Sequence, residues 1–192
     1  MSDLVSEKEM VLPELSCVAV LPAAVPVSSS ENLSSERKKS LLDGAGYLDS
    51  VLLGEVGSRP QFQLISEKQL SAILTDPWGG RARQIRDIGQ ATGCGGVLET
   101  TLSRYRQRVG STKAVDSPAS AAFSMELISV ESGVVLWTSS YDETQQALTE
   151  NIFSFGKAQQ RGFRWLSVEE LASSGMKHSL EGFPYFQEAD GQ

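Results

Sequence analysis

The clearest pattern along the chain is the alternation in residues 123–141, FSMELISVESGVVLWTSSY. Phe123, Met125 and Leu127 point one way and Ser124 and Glu126 the other, the period-two signature of a strand with one face in a core. Val130, Glu131, Ser132 and Gly133 interrupt the alternation, and Gly133 supplies the positive φ that short hairpin turns demand. A β-hairpin is therefore predicted here. Upstream, residues 17–21, CVAVL, form a short apolar run ended by Pro22, as in strands buried on both faces. From about Ser40 the period changes to three and four: Leu41, Ala45, Leu48 and Leu52 line one side of a helix, Asp49 and Glu55 stay wet, and Gly57 ends it. Residues 62–65 read as a second strand. Ser66 with Gln69 makes a capping box for a helix carrying Leu70, Ile73 and Leu74, closed by Pro77, Gly79 and Gly80. A third helix over 81–92 turns Ile85, Ile88 and Ala91 inward, and Gly93 stops it.

Residues 96–108 predict a long strand, apolar at first and then placing Arg104, Arg106 and Arg108 outward. A polar loop over 110–118 leads into the hairpin, so three strands form an antiparallel meander. Residues 23–36 and the Gln-rich, weakly periodic stretch 142–164 read as irregular. Ser167 with Glu170 is a second capping box, opening a helix that runs to about Leu180. The fold class is α/β with a mixed sheet of about five strands: three parallel strands (17–21, 62–65, 96–108) extended by the antiparallel hairpin, with helices packed on it. Right-handed crossovers put the first strand between the second and third. One domain over residues 15–182 is expected, with a mobile leader over 1–14 and a loose tail over 183–192.

With 17 Lys and Arg against 24 Asp and Glu in 192 residues, the net charge is −7. No basic patch for a phosphate backbone exists, so no nucleic-acid partner is expected. No window approaches the roughly 18 apolar residues of a spanning helix, and the start MSDLVSEKEM carries charges where a secretory signal is apolar.

Candidate chemistry is sparse. Cys17 and Cys94 fit either two buried thiols or a disulfide between the N-terminal ends of neighbouring parallel strands, provided their Cα atoms lie within about 7 Å. His178, the sole histidine, lacks metal-binding partners in the pattern around it. No serine sits in a Gly-x-Ser-x-Gly elbow. The run Gly93-Cys94-Gly95-Gly96 precedes a strand, whereas a phosphate loop follows one, so it reads as a tight turn. Arg81, Arg83 and Arg86 read as a solvated helix face in preference to an anion site, and Glu169 with Glu170 as first-turn residues that suit a helix dipole. No catalytic residue, metal site or cofactor is expected, and the chain is not read as an enzyme. The aromatic set Phe153, Phe155, Phe163 and Trp165, in a polar and poorly periodic stretch, is the candidate interaction surface.

The segments VAVLP, FQLISEKQLSAIL, IGQATGCGGVLETTLSRY and MELISVESGVVLWTSSY, in that order over residues 17–141, resemble the curli-secretion lipoprotein family and its relatives, the accessory lipoproteins of polysaccharide export and the N-terminal domain of TolB. The resemblance implies a TolB N-terminal-like fold. It further implies a periplasmic envelope protein, held at the outer membrane through a lipid anchor lying outside this chain. Such a protein would assemble with itself or with protein partners in export, secretion or envelope biogenesis. The long membrane-inserting hairpins of the curli channel have no counterpart in 110–118 or 142–164, so no pore is expected. The alternative is a soluble small-molecule binding or sensing domain, with a pocket at the C-terminal ends of the parallel strands near Pro22 to Ser30 and Ser66.

Overall fold

A computed structural model describes residues 12–26, 33–76, 79–110, 115–145 and 166–185. In chain order the elements are β1 (Val18–Val20), α1 (Ser35–Val56), β2 (Phe62–Leu64), α2 (Glu67–Ile73), α3 (Arg81–Thr92), β3 (Gly96–Arg106), β4 (Val109–Gly110), β5 (Val115–Ser117), β6 (Ser120–Ser129), β7 (Val135–Thr144) and α4 (Val168–Glu181). Five strands make the main sheet in the order β2-β1-β3-β6-β7, and β4 pairs with β5 in a separate two-stranded ladder. Strand β1 runs parallel to both neighbours, with Val18 opposite Phe62 on one side and Gly96 on the other. The remaining pairings, β3 with β6 and β6 with β7, are antiparallel. This is the mixed α/β sheet anticipated from the periodicity.

Alternation along the strands divides the core in two. Val18, Val20, Phe62, Leu98, Leu102, Phe123, Met125 and Leu127 meet α1 and α4 on one face of the sheet. Ala19, Leu21, Val97 and Ile128 meet Ile85 and Ile88 of α3 and the flank of α2 on the other. Among the described residues this second layer covers the β1 end of the sheet, and no described helix covers that face of the long hairpin.

Several boundaries differ from the expectation, each for a local reason. Helix α1 starts five residues before Ser40, because the Ser34 hydroxyl accepts the Arg37 N–H and caps a turn whose charged side chains carry no apolar period. Strand β1 is short because Pro22 lacks an N–H. Beyond it the chain still tracks β3, with Ala24 N–H donating to the Thr100 carbonyl at 2.8 Å and Leu102 N–H donating to that of Ala24 at 2.8 Å. Strand β3 stops at Arg106 and carries a bulge at Ser103, between Leu102 and Arg104. Within the expected polar loop 110–118 lies the β4–β5 ladder. Phe183, where a loose tail was expected to start, is 1% exposed instead, its ring edge-on to Trp137 at 4.9 Å and 5.7 Å from Phe62, and residues 186–192 lie outside the described residues. Tyr185 follows it, its hydroxyl donating to the Pro13 carbonyl at 2.6 Å within the expected leader.

Candidate interaction surface

Cys17 immediately precedes β1, and Cys94 lies two residues before β3. Because these strands are parallel neighbours in register from Val18 and Gly96, their N-terminal approaches converge. The Cα atoms are 4.6 Å apart and the sulfurs are joined at 2.00 Å, closing a loop of 77 residues in sequence. Gly96 N–H donates to the Cys17 carbonyl beside the bridge, so backbone and sulfur clamp the same corner.

The surface of the hairpin that faces away from α1 and α4 is polar. Register sets Glu99, Glu126 and Thr138 in one row, Thr101, Ser124 and Ser140 in the next, and Arg104, Ala122 and Asp142 in a third. Arg81 at the start of α3 closes one end: its Nε donates to Glu99 at 3.0 Å and its Nη2 pairs with both Glu99 and Glu126. Those two carboxylates, hydrogen-bonded to it, push its pKa further up. At the other end Arg104 pairs with Asp142 and reaches Thr144. The charged residues are therefore engaged with one another, Arg81 against two carboxylates and Arg104 against one, and the middle row is hydroxyls.

The outer rim of this layer is β7, a ten-residue edge strand. Gln145 N–H donates to the Ala119 carbonyl at 2.9 Å, directly opposite it. In an antiparallel ladder bonded pairs recur every second residue. Trp137, Ser139, Tyr141 and Glu143 therefore bond to β6, while Thr138, Ser140, Asp142 and Thr144 turn their N–H and C=O groups outward. A bulge between Leu127 and Ile128 of β6 ends this regular stretch just before Trp137. Among the described residues no strand pairs with the outer rim. On the covered face Tyr141 stacks on Phe123 at 5.2 Å between centroids, and Ser139 Oγ donates to Ser179 Oγ of α4 at 2.9 Å. Burial, reinforced by its hydrogen bond to Glu143, pushes the Tyr141 phenol well up.

An open groove of about 840 Å³ lies beyond the α1 end of β3, lined by Leu33, Arg37, Leu41, Tyr105, Arg106 and Pro118 among others. It is not where a pocket was expected. Of the segment 22–30 expected beside it, Ala24 bonds along β3 and residues 27–30 lie outside the described residues, while Ser66 is engaged in capping α2, accepting the Gln69 N–H as the Gln69 side chain accepts its own. The remaining candidates are placed plainly. The arginines of α3 are engaged as a solvated face, Arg83 pairing with Asp76 and Asp87, and Arg86 donating to the Ala82 carbonyl. His178 is exposed and faces Glu181 at 3.4 Å. Among the described residues no group of three or more His, Cys, Asp or Glu is placed to hold a metal, and no helix is long and apolar enough to cross a membrane. Phe153, Phe155, Phe163 and Trp165 lie outside the described residues. The rim of β7, unpaired among the described residues, was missed in the sequence, although its signal is there: VLWTSSY carries no charge, proline or glycine and belongs to the last strand of a meander.

No protein-family model matches this chain, and no curated protein does. Similar solved structures include the PelC dodecamer from Paraburkholderia phytofirmans, 17% identical over 85% of this chain and 84% of that one, with a TM-score of 0.46. Lipoprotein GNA1162 from Neisseria meningitidis is 13% identical over 75% and 96%, with a TM-score of 0.40. The hypothetical protein CT253 from Chlamydia trachomatis is 10% identical over 86% and 94%, with a TM-score of 0.49. No residue role is carried over from any of them.

Proposed function

We propose that this chain is a non-enzymatic α/β domain of the bacterial cell envelope, residing in the periplasm and working by docking, with itself or with protein partners, in an export or envelope-biogenesis complex. The observation that carries the reading is the Cys17–Cys94 bridge. Disulfides persist in oxidising compartments, the bacterial periplasm among them, and are rare in the cytosol. The resemblance of residues 17–141 to the curli-secretion lipoproteins supports the same compartment. Docking is favoured over chemistry because the charged groups of this sheet face are engaged with one another, leaving a row of hydroxyls and a strand rim that is unpaired among the described residues.

The test is made in the native organism. Cells are quenched in acid, thiols are blocked with a maleimide-polyethylene glycol, and the envelope fraction is cross-linked. The chain should take up no label until reduced and should run in a cross-linked species larger than a monomer. A chain labelled on both cysteines without reduction, recovered from the cytosol, would overturn the proposal. The groove beside Tyr105 favours a second reading, a small-molecule binding domain. A ligand-dependent rise in melting temperature, abolished by Tyr105→Ala, would support that reading instead.

A further inference from the structure

We propose that β7 is a β-augmentation edge that takes a second copy of this chain, pairing antiparallel about a two-fold axis at Ser139 and joining two five-stranded sheets into one of ten strands. The inference rests on the assembly reading above and specifies its surface.

The two rims of the sheet are unequal. Strand β2 offers three residues and β7 offers ten. Natural sheets blunt long rims with charge, proline or a bulge. Here the blunting devices sit only at the ends of β7: the bulge before Trp137, and Asp142 with Glu143 after Tyr141. Between them Trp137, Thr138, Ser139, Ser140 and Tyr141 form an uncharged stretch, and its outward amides, those of Thr138 and Ser140, belong to residues whose side chains are exposed. A rim that no described residue pairs in the middle and that is blunted at both ends is a docking site of limited length.

Register follows from which residues can face one another. Outward-turned residues must oppose outward-turned residues, so Thr138 of one copy can lie opposite Thr138, Ser140 or Asp142 of the other. With Thr138 opposite its own copy, Ser140 would face Leu136, across the bulge. With Thr138 opposite Asp142, the carboxylates of each copy enter the paired stretch. With Thr138 opposite Ser140, Ser139 sits on the axis, the five uncharged residues pair entirely among themselves, and Asp142 and Glu143 fall outside at opposite ends. That register also sets Trp137 of each copy opposite Tyr141 of the other, an aromatic cross-strand pair repeated by symmetry. An isologous pairing of this kind closes on itself. The three-residue rim of β2 gives no equal surface for a growing chain of copies.

The chain's two cysteines are bridged, so an added thiol is the sole free one. In the proposed register Thr138 and Ser140 of the partner form a bonded pair with Cα atoms about 5.5 Å apart, inside the disulfide range of up to about 7 Å. Thr138→Cys and Ser140→Cys proteins are prepared separately and oxidised with copper-phenanthroline, alone and mixed. The expected result is a cross-linked dimer in the mixture, several-fold above either protein alone. Cross-linking of one protein alone to the same extent would overturn the Ser139 axis, and its absence from all three samples would overturn pairing through β7. As a second measurement, the double variant Thr138→Lys/Ser140→Lys sets like charges opposite one another on exposed positions whose backbone groups do not bond to β6. It should weaken the dimer at least tenfold by light scattering while leaving the circular dichroism spectrum unchanged. An unshifted association constant would equally overturn the proposal. Should the unmodified chain still form larger species under those outcomes, the assembly reading stands and only this surface is lost; a chain monomeric throughout removes the surface and leaves the envelope experiment to judge partners.

Discussion

Thr100 sits in the middle of β3 between Leu98 and Leu102, 1% exposed, and its hydroxyl has no hydrogen-bond partner among the described residues. A buried hydroxyl left unpaired loses its water without compensation, so Thr100→Val, equal in shape, should raise unfolding free energy by about 1 kcal/mol. Urea denaturation measures it, and a loss of stability would mean that the hydroxyl is bonded after all. Asp49 poses the converse case. Its carboxylate, on α1, accepts the Ala23 N–H at 2.7 Å, yet burial outweighs that bond and, with help from Glu67, raises its pKa. The folded chain therefore binds this proton more tightly than the unfolded chain does, and stability falls as pH rises from the ordinary aspartate range through the raised value. Asp49→Asn keeps an acceptor without the charge. Its stability relative to the parent should grow from acid to neutral pH and then level off; a pH-independent difference in urea midpoint would refute this. Neither Thr100 nor Asp49 could be judged from the sequence, where Thr100 is one more residue of a strand and Asp49 one of a helix's wet positions.

Elements were more legible than their contacts. Ser66 with Gln69 and Ser167 with Glu170 announced the starts of α2 and α4, because a capping box is a local arrangement of one hydroxyl and one side chain three residues on. The turn at Gly133, with φ at 70°, was equally local. How α4 lies on the hairpin was not. A Cβ at Gly175 would come within 2.6 Å of the Tyr141 ring, so the helix approaches β7 more closely there than any larger residue permits. Gly175→Ala must push the ring or the helix aside, at a cost of about 1–3 kcal/mol. A thermal melt should show the loss, and an unchanged melting temperature would mean that α4 shifts freely. Because α4 supports the covered face of β7, the same variant should also weaken the pairing inferred above.

For the whole molecule, the bridge between Cys17 and Cys94 closes a loop that contains β1, α1, β2, α2 and α3. A cross-link spanning 77 residues restricts the unfolded chain strongly, so reduction should lower stability by roughly 4 kcal/mol. Unfolding in urea with and without reductant tests this, and equal midpoints would show that the sheet alone holds the corner. The order of the main elements, the mixed sheet and the place of the first strand between the second and third were decided by the sequence itself, since period, capping and turn chemistry act over a few residues and crossover handedness limits how such pieces connect. Tertiary structure alone decided the rest. It brought two cysteines together, set Glu99 and Glu126 against Arg81, seated Phe183 in the core and left β7 unpaired on its outer side among the described residues. Those outcomes depend on which strands become neighbours, and neighbours distant in sequence are chosen by the packing of the whole.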